Sequence, residues 1–214
     1  MNNDVLVLAS ASPRRRRLLE LLNINFEVIV SRVDESDLEA PGPVAFARLA
    51  AEEKCREVAA RLSKHNGVLG ADTVVHFESL RGMEILGKPS TPDEAKRMLR
   101  SLSGRVHQVT TGVAFWQPGE AQPLVGSETS NVRFRPLEPM EIDEYVATGE
   151  SLDKAGAYAV QGVGGDFIAQ VDGDLQNVIG LPLGVVVKML KPLYPEVKMP
   201  DAATLAGTFR REFL

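Results

Sequence analysis

The chain has one cysteine, Cys55, in 214 residues. It can form no intramolecular disulfide, and a cysteine-rich zinc site is excluded. Its three histidines, His65, His76 and His107, show no zinc-like spacing. No apolar run approaches the roughly 20 residues that a membrane-spanning helix needs, so no membrane association is expected. A basic excess is also missing: 24 Lys and Arg stand against 29 Asp and Glu, for a net charge of -5. Proteins that grip nucleic acid by its backbone usually carry such an excess. Nucleic acid is therefore not an expected partner, and any phosphate chemistry must rest on a local basic cluster. The opening MNNDVLVLASASPRRRR places its apolar stretch before its positive charges. A secretory signal has the reverse order and a longer apolar part. Together with the lone cysteine, this makes the cytoplasm the expected compartment. The P-loop, His-Glu-x-x-His and Gly-x-Ser-x-Gly patterns are absent.

What is present is the composition of a soluble globular protein, 44% hydrophobic and 25% charged. That excludes general disorder. The length allows a large core without disulfides or metal, in one domain with room for two lobes. Val5 to Ala9 reads as a buried strand. Ser12 is a candidate N-cap, with Pro13 as the first helical residue. Further strands are expected at 26–30, 68–77, 83–86, 106–116, 124–135, 158–160 and 167–171. Helices are expected at 44–62, 91–102, 138–148 and 184–191. Thr91-Pro92-Asp93-Glu94 has the pattern of a capping box. This order predicts an α/β fold around a mixed sheet. The long hairpin over 106–135 argues against a purely parallel one.

Two features are unlike what stability alone would select. Arg14, Arg15, Arg16 and Arg17 fill the first turn of the first helix. A helix N-terminus already carries about half a positive charge and unpaired N–H groups. Four arginines add repulsion there unless an anion binds, and the guanidinium fork suits phosphate. A solvated basic patch is the plainer alternative. Arg14 and Arg15 directly follow the cap and are the better ligand candidates; Arg16 and Arg17 read as surface. Second, Asp72 interrupts the apolar run Val68-Leu69-Gly70-Ala71-Asp72-Thr73-Val74-Val75. A carboxylate in a buried strand is costly unless it is paired, metal-bound or at an exposed end; a turn-capping structural Asp is the alternative. Weaker candidates are Glu35 in an acidic stretch, Lys54 on a charged helix, Lys88 in Gly87-Lys88-Pro89, and Gln161 before a glycine-rich loop. His107 on a strand is read as structural.

Taken in order, these pieces form a set. They are Ser10-Ala11-Ser12-Pro13-Arg14-Arg15, Glu35, Lys54, Ala71-Asp72-Thr73-Val74-Val75, Gly87-Lys88-Pro89, Leu102-Ser103-Gly104 with His107, Tyr158-Ala159-Val160-Gln161-Gly162, and Asn177-Val178-Ile179-Gly180-Leu181-Pro182-Leu183. From about residue 5 to about 192 the chain resembles the Maf family of nucleoside triphosphate pyrophosphatases.

The resemblance implies hydrolysis of a nucleoside triphosphate between its α and β phosphates, giving the monophosphate and pyrophosphate. It implies a mixed elongated sheet flanked by helices, with two lobes and a cleft, similar to the inosine triphosphate pyrophosphatases. It implies a divalent cation, Mg or Mn, and a homodimer. Residues 1–195 would be a single domain of this kind and 196–214 a partly mobile tail. Asp72 would be the general base and, with Glu35, would hold the metal. Lys54, Lys88 and Arg15 would stabilise phosphate charge, and Ser12 would help cradle phosphate oxygens. Arg14, Thr73 and Gln161 resemble the subgroup acting on dTTP and UTP, with modified pyrimidine nucleotides included. A pyrophosphatase for 7-methyl-GTP is one alternative. Another is a nucleotide-binding regulator of cell division without relevant catalysis, since the family name refers to septum formation.

Overall fold

The structure, a computed structural model, describes residues 5–62 and 67–205. Its strands are β1 (Leu6–Leu8), β2 (Phe26–Val28), β3 (Val68–Ser79), β4 (Gly82–Leu86), β5 (Val106–Trp116), β6 (Leu124–Phe134) and β7 (Ile168–Asp172). Its helices are α1 (Pro13–Glu20), α2 (Pro43–Ala60), α3 (Pro92–Leu102), α4 (Pro139–Ala147), α5 (Leu175–Ile179) and α6 (Leu183–Leu190). They build one seven-stranded sheet in the order β2-β1-β3-β5-β6-β7, with β4 also on β3. β1 runs parallel to β2 and β3. The remaining pairs are antiparallel, including the long β5–β6 hairpin. The expected mixed α/β architecture is the observed one.

The sheet is forked at β3. One side of β3 is fully taken by β5, from Val68 to His76. On the other side β1 pairs only with Val68 and Leu69. β4 joins that same side from Val75 to Ser79. Among the described residues, 70–74 therefore have no strand neighbour on that side, and a cleft opens there. Two apolar cores sit beyond its ends. One gathers Leu69, Ala71, Val113 and Phe115 with α1 and α6. The other gathers Val75, Phe77 and Val109 with α3 and α4. A third, smaller core joins α2 to β1 and β3.

Helix α2 lies flush on the sheet because two strand positions have no side chain. A Cβ on Gly112 would sit 2.1 Å from the Ala47 carbonyl oxygen, and one on Gly70 would sit 2.3 Å from that of Ala51. The buried face of α2 is built from small residues at helical spacing, Ala47, Ala50, Ala51, Cys55 and Val58. Lys54 lies on that same face and is driven under the cleft with it.

Some expectations need correction. Residues 158–160 form no strand. The chain instead makes a tight turn at Ala155–Ala157, with positive φ at Gly156 (69°) and Ala157 (63°). The apolar run there serves burial: Tyr158 packs edge-on against Phe134 and His107. A short apolar stretch does not reveal which of these roles it has. Helix α5 was not foreseen; Asp174 caps it by accepting from the Gln176 N–H at 2.7 Å. At α3, Thr91 caps as expected, but the Glu94 carboxylate turns back to Ser90 rather than to the Thr91 N–H. In the described part of the segment after Pro195, Val197 belongs to the first core and Leu205 packs against it. Residues 206–214 lie outside the described residues.

Candidate active site

The first cavity residues come from the loop and helix after β1. Ser12, in extended backbone, caps α1 by accepting from the Arg15 N–H at 3.4 Å. Its own N–H donates to Ser10 Oγ at 3.2 Å. Arg14 and Arg15 follow the cap and line the cavity, whereas Arg16 and Arg17 are exposed, and Arg16 pairs with Glu20. Arg15 turns inward. Its Nε donates to Gly180 O at 2.9 Å, Nη1 to Ser10 Oγ at 3.2 Å and Nη2 to Thr73 Oγ1 at 3.0 Å. Burial pushes its pKa down, and the charges of Asp72 and Glu35 work against that shift.

Glu35 begins a short 3-10 turn that Asp34 caps through the Ser36 N–H. Asp72 projects from the unpaired stretch of β3. Lys54 Nζ lies between the two carboxylates, 2.5 Å from Glu35 Oε1 and 2.6 Å from Asp72 Oδ1. The Asp72 side chain is 6% exposed and Glu35's is 37% exposed. The contrast has a consequence. Asp72 Oδ1 is anchored, but its Oδ2 is buried and has no hydrogen-bond partner among the described residues. Burial raises the pKa of Glu35, yet Lys54, Lys88 and Arg15 outweigh that and hold it below the ordinary value.

The far wall comes from the other end of the sheet. Gly87 O accepts from the Gly156 N–H at 3.1 Å, tying the Lys88 segment to the 155–157 turn. Glu150 takes the Val163 and Gly164 N–H groups at 3.3 and 3.5 Å, which braces the glycine-rich segment after Gln161. The result is a cavity of about 730 Å³, within the usual range for small-molecule sites. Ser12, Arg14, Arg15, Glu35, Lys54, Asp72, Thr73, Lys88 and Gln161 all line it. These nine come from segments up to 149 positions apart in sequence, Ser12 to Gln161. The sequence reading missed other lining residues, among them Asp153, Lys154 and Tyr158. Asp153 and Lys154 sit in a polar segment that resembles any loop, and Tyr158 follows it in an apolar run whose residues fit core as well as cavity. His107 lies beneath the wall, with its Nε2 2.7 Å from the Tyr158 hydroxyl.

Chemically, the arrangement suits a polyanion and a hard cation. Guanidinium groups line the α1 side and ammonium groups the floor and far wall, and two carboxylates converge on Lys54. No cluster of three His, Cys, Asp or Glu side chains able to hold a metal occurs among the described residues. Two carboxylates with an open oxygen do fit Mg²⁺ or Mn²⁺, which commonly combine one or two carboxylates with substrate phosphates. No helix among the described residues is long and apolar enough to cross a membrane.

Comparison with known families agrees with this geometry. The model described as Maf-like protein matches residues 5–193. The chain belongs to the Maf family. Among related proteins, one from Moorella thermoacetica is 49% identical over 185 residues, 86% of this chain and 93% of its own. One from Anaeromyxobacter sp. is 48% identical over 189 residues, 87% of this chain and 88% of its own. A third, from a Geobacillus species, is 45% identical over 188 residues, 88% of this chain and 97% of its own. All three are named dTTP/UTP pyrophosphatase. The Staphylococcus aureus Ham1 protein structure overlays this Maf chain partially, with a TM-score of 0.44 and 17% identity over 61% of this chain and 72% of that one. The fold class stands on the chain's own sheet order and flanking helices.

Proposed function

We propose that this chain is a nucleoside triphosphate pyrophosphatase acting on dTTP and UTP, cleaving between the α and β phosphates. The names of its relatives support the activity. The observation that carries the chemistry is the half-anchored Asp72 carboxylate among phosphate-binding cations.

The steps follow from the side chains. The triphosphate lies over the N-terminus of α1, where Ser12, Arg14, Arg15 and main-chain N–H groups meet its oxygens. A water stands at Asp72 Oδ2, the carboxylate oxygen without a partner among the described residues. Asp72 takes a proton from this water as its oxygen bonds to the α-phosphorus. The bond from that phosphorus to the bridging oxygen breaks, and pyrophosphate leaves. Lys54 holds Asp72 in place and, with Lys88 and Arg15, meets the growing charge on the phosphates. Such preorganised charge is commonly worth a few kcal/mol per group. Glu35 and Asp72 would hold a divalent cation, whose chemistry is to lower a water's pKa and neutralise phosphate oxygens. Thr73 and Gln161, with Arg14, are the positions proposed to set the pyrimidine preference.

The test is a panel of dTTP, UTP, CTP, ITP and 7-methyl-GTP with Mg²⁺ or Mn²⁺ in ¹⁸O-labelled water. Preferential turnover of dTTP and UTP is expected, with the label in the monophosphate. Label in orthophosphate, or no turnover by folded protein, would overturn the reading. Preference for 7-methyl-GTP would keep the chemistry and reject the assigned substrates.

A further inference from the structure

Hydroxyl protons fix the direction of a bond chain beneath the cavity floor. Arg15 has only donors, so Thr73 Oγ1 accepts from its Nη2. Thr111 Oγ1 donates its single proton to the main-chain oxygen of Asn177 at 2.9 Å. The 2.9 Å contact between the two threonine hydroxyls is therefore donated by Thr73. The chain runs one way, from Arg15 through Thr73 and Thr111 to Asn177.

Its far end is fixed. Asn177 is fully buried. Its amide accepts from the Thr111 N–H at 3.0 Å and donates to Val109 O and Ser130 Oγ, both at 2.9 Å. Three residues later, Gly180 O takes the Nε of Arg15. Helix α5 and the turn after it thus hold the guanidinium twice, once directly and once through the two threonines. Among the described residues three of the five N–H groups of Arg15 have partners. Two remain, on a side chain that lines the cavity.

We infer that Thr111, a fully buried β5 residue outside the cavity lining, is a positioning residue that fixes the Arg15 guanidinium for the substrate's phosphates by holding the Thr73 hydroxyl. The inference rests on the nucleotide reading above for the identity of the anion. Without the Thr111 oxygen, the Thr73 proton loses its acceptor. Thr73 is then free to leave the rotamer in which it accepts from Arg15, and the two remaining N–H groups lose their fixed aim. The same chain gives Thr73 a task apart from contacting the base.

The experiment compares Thr111→Val, nearly isosteric but without the hydroxyl, with Thr111→Ser, which keeps it. Steady-state kinetics on dTTP should show KM raised about tenfold in Thr111→Val, the scale of one hydrogen bond to a charged group. kcat should change little, and Thr111→Ser should stay close to wild type. A merely structural role would lower kcat with the folded fraction and leave KM unchanged. In an Arg15→Lys background, Thr111→Val should add no further rise in KM. An unchanged KM in Thr111→Val, or an equal further rise in the Arg15→Lys background, would overturn the inference. If Thr111→Val does not fold, Thr111→Ala removes the same hydroxyl and is read the same way. If wild type turns over no nucleotide, the nucleotide reading fails by itself. The claim on Thr111 is then decided by inorganic tripolyphosphate binding: about tenfold weaker in Thr111→Val supports it, and equal Kd overturns it.

Discussion

A carboxylate in the middle of a strand is tolerable only when its charge is met, and at Asp72 one oxygen alone is met among the described residues. That asymmetry gives the residue both an anchor and a free acceptor. The sequence marked Asp72 because a charge broke an apolar run, and it marked the arginines because they stood at the wrong end of a helix dipole. It gave no sign that Arg15 would be spent partly on protein partners, because Ser10, Thr73 and Gly180 meet only in the fold. His107 shows the other side of residue-level reading. Burial, with a smaller push from the charge of His76, lowers its pKa from 6.5 to about 4. Between those values the unfolded chain takes up a proton that the folded one refuses, so stability falls as pH drops. Urea unfolding between pH 8 and 4.5 should show a loss that begins near 6.5 and amounts to about 3 kcal/mol if followed to completion. His107→Gln should flatten part of that slope; an unchanged slope would show that His107 is not its source.

At the scale of elements, strongly patterned pieces were legible and the ones shaped by tertiary contact were not. The β5–β6 hairpin and helices α2, α3, α4 and α6 announce themselves by alternation, caps and helical spacing. Residues 158–160 have strand-like composition, yet the turn before them diverts the chain over Val75, against which Gly156 packs. Helix α5 is too short to show a period. The glycines under α2 also escaped notice, since a glycine in a strand announces a close approach without saying to what. Their role yields a test. Gly112→Ala would drive a methyl group into the Ala47 main chain. It should destabilise by about 1–3 kcal/mol, read from urea midpoints. It should also lower turnover, because Lys54 rides on the displaced helix. Unchanged stability would show that α2 does not depend on this contact for its seat.

At the scale of the molecule, the site exists because β3 has two different neighbours on one side and a gap between them. No local pattern encodes that fork, since it depends on where β1 stops and β4 begins. What the sequence did carry was an ordered set of short motifs, and the fold brings all of them to that gap except Leu102-Ser103-Gly104 and His107, which lie outside the cavity lining. The apolar cores on either side let two packed halves present opposite walls, one with Arg14 and Arg15 near α1, the other with Lys88, Lys154 and Gln161. The central claim is that Asp72 serves as the base of a pyrophosphatase. The most direct test is kcat for dTTP in wild type and Asp72→Asn, with circular dichroism and thermal melting on both. The account expects melting to stay close to wild type while kcat falls by 10²-fold or more, on the order of the loss of a general base. Near-normal turnover by Asp72→Asn would contradict it.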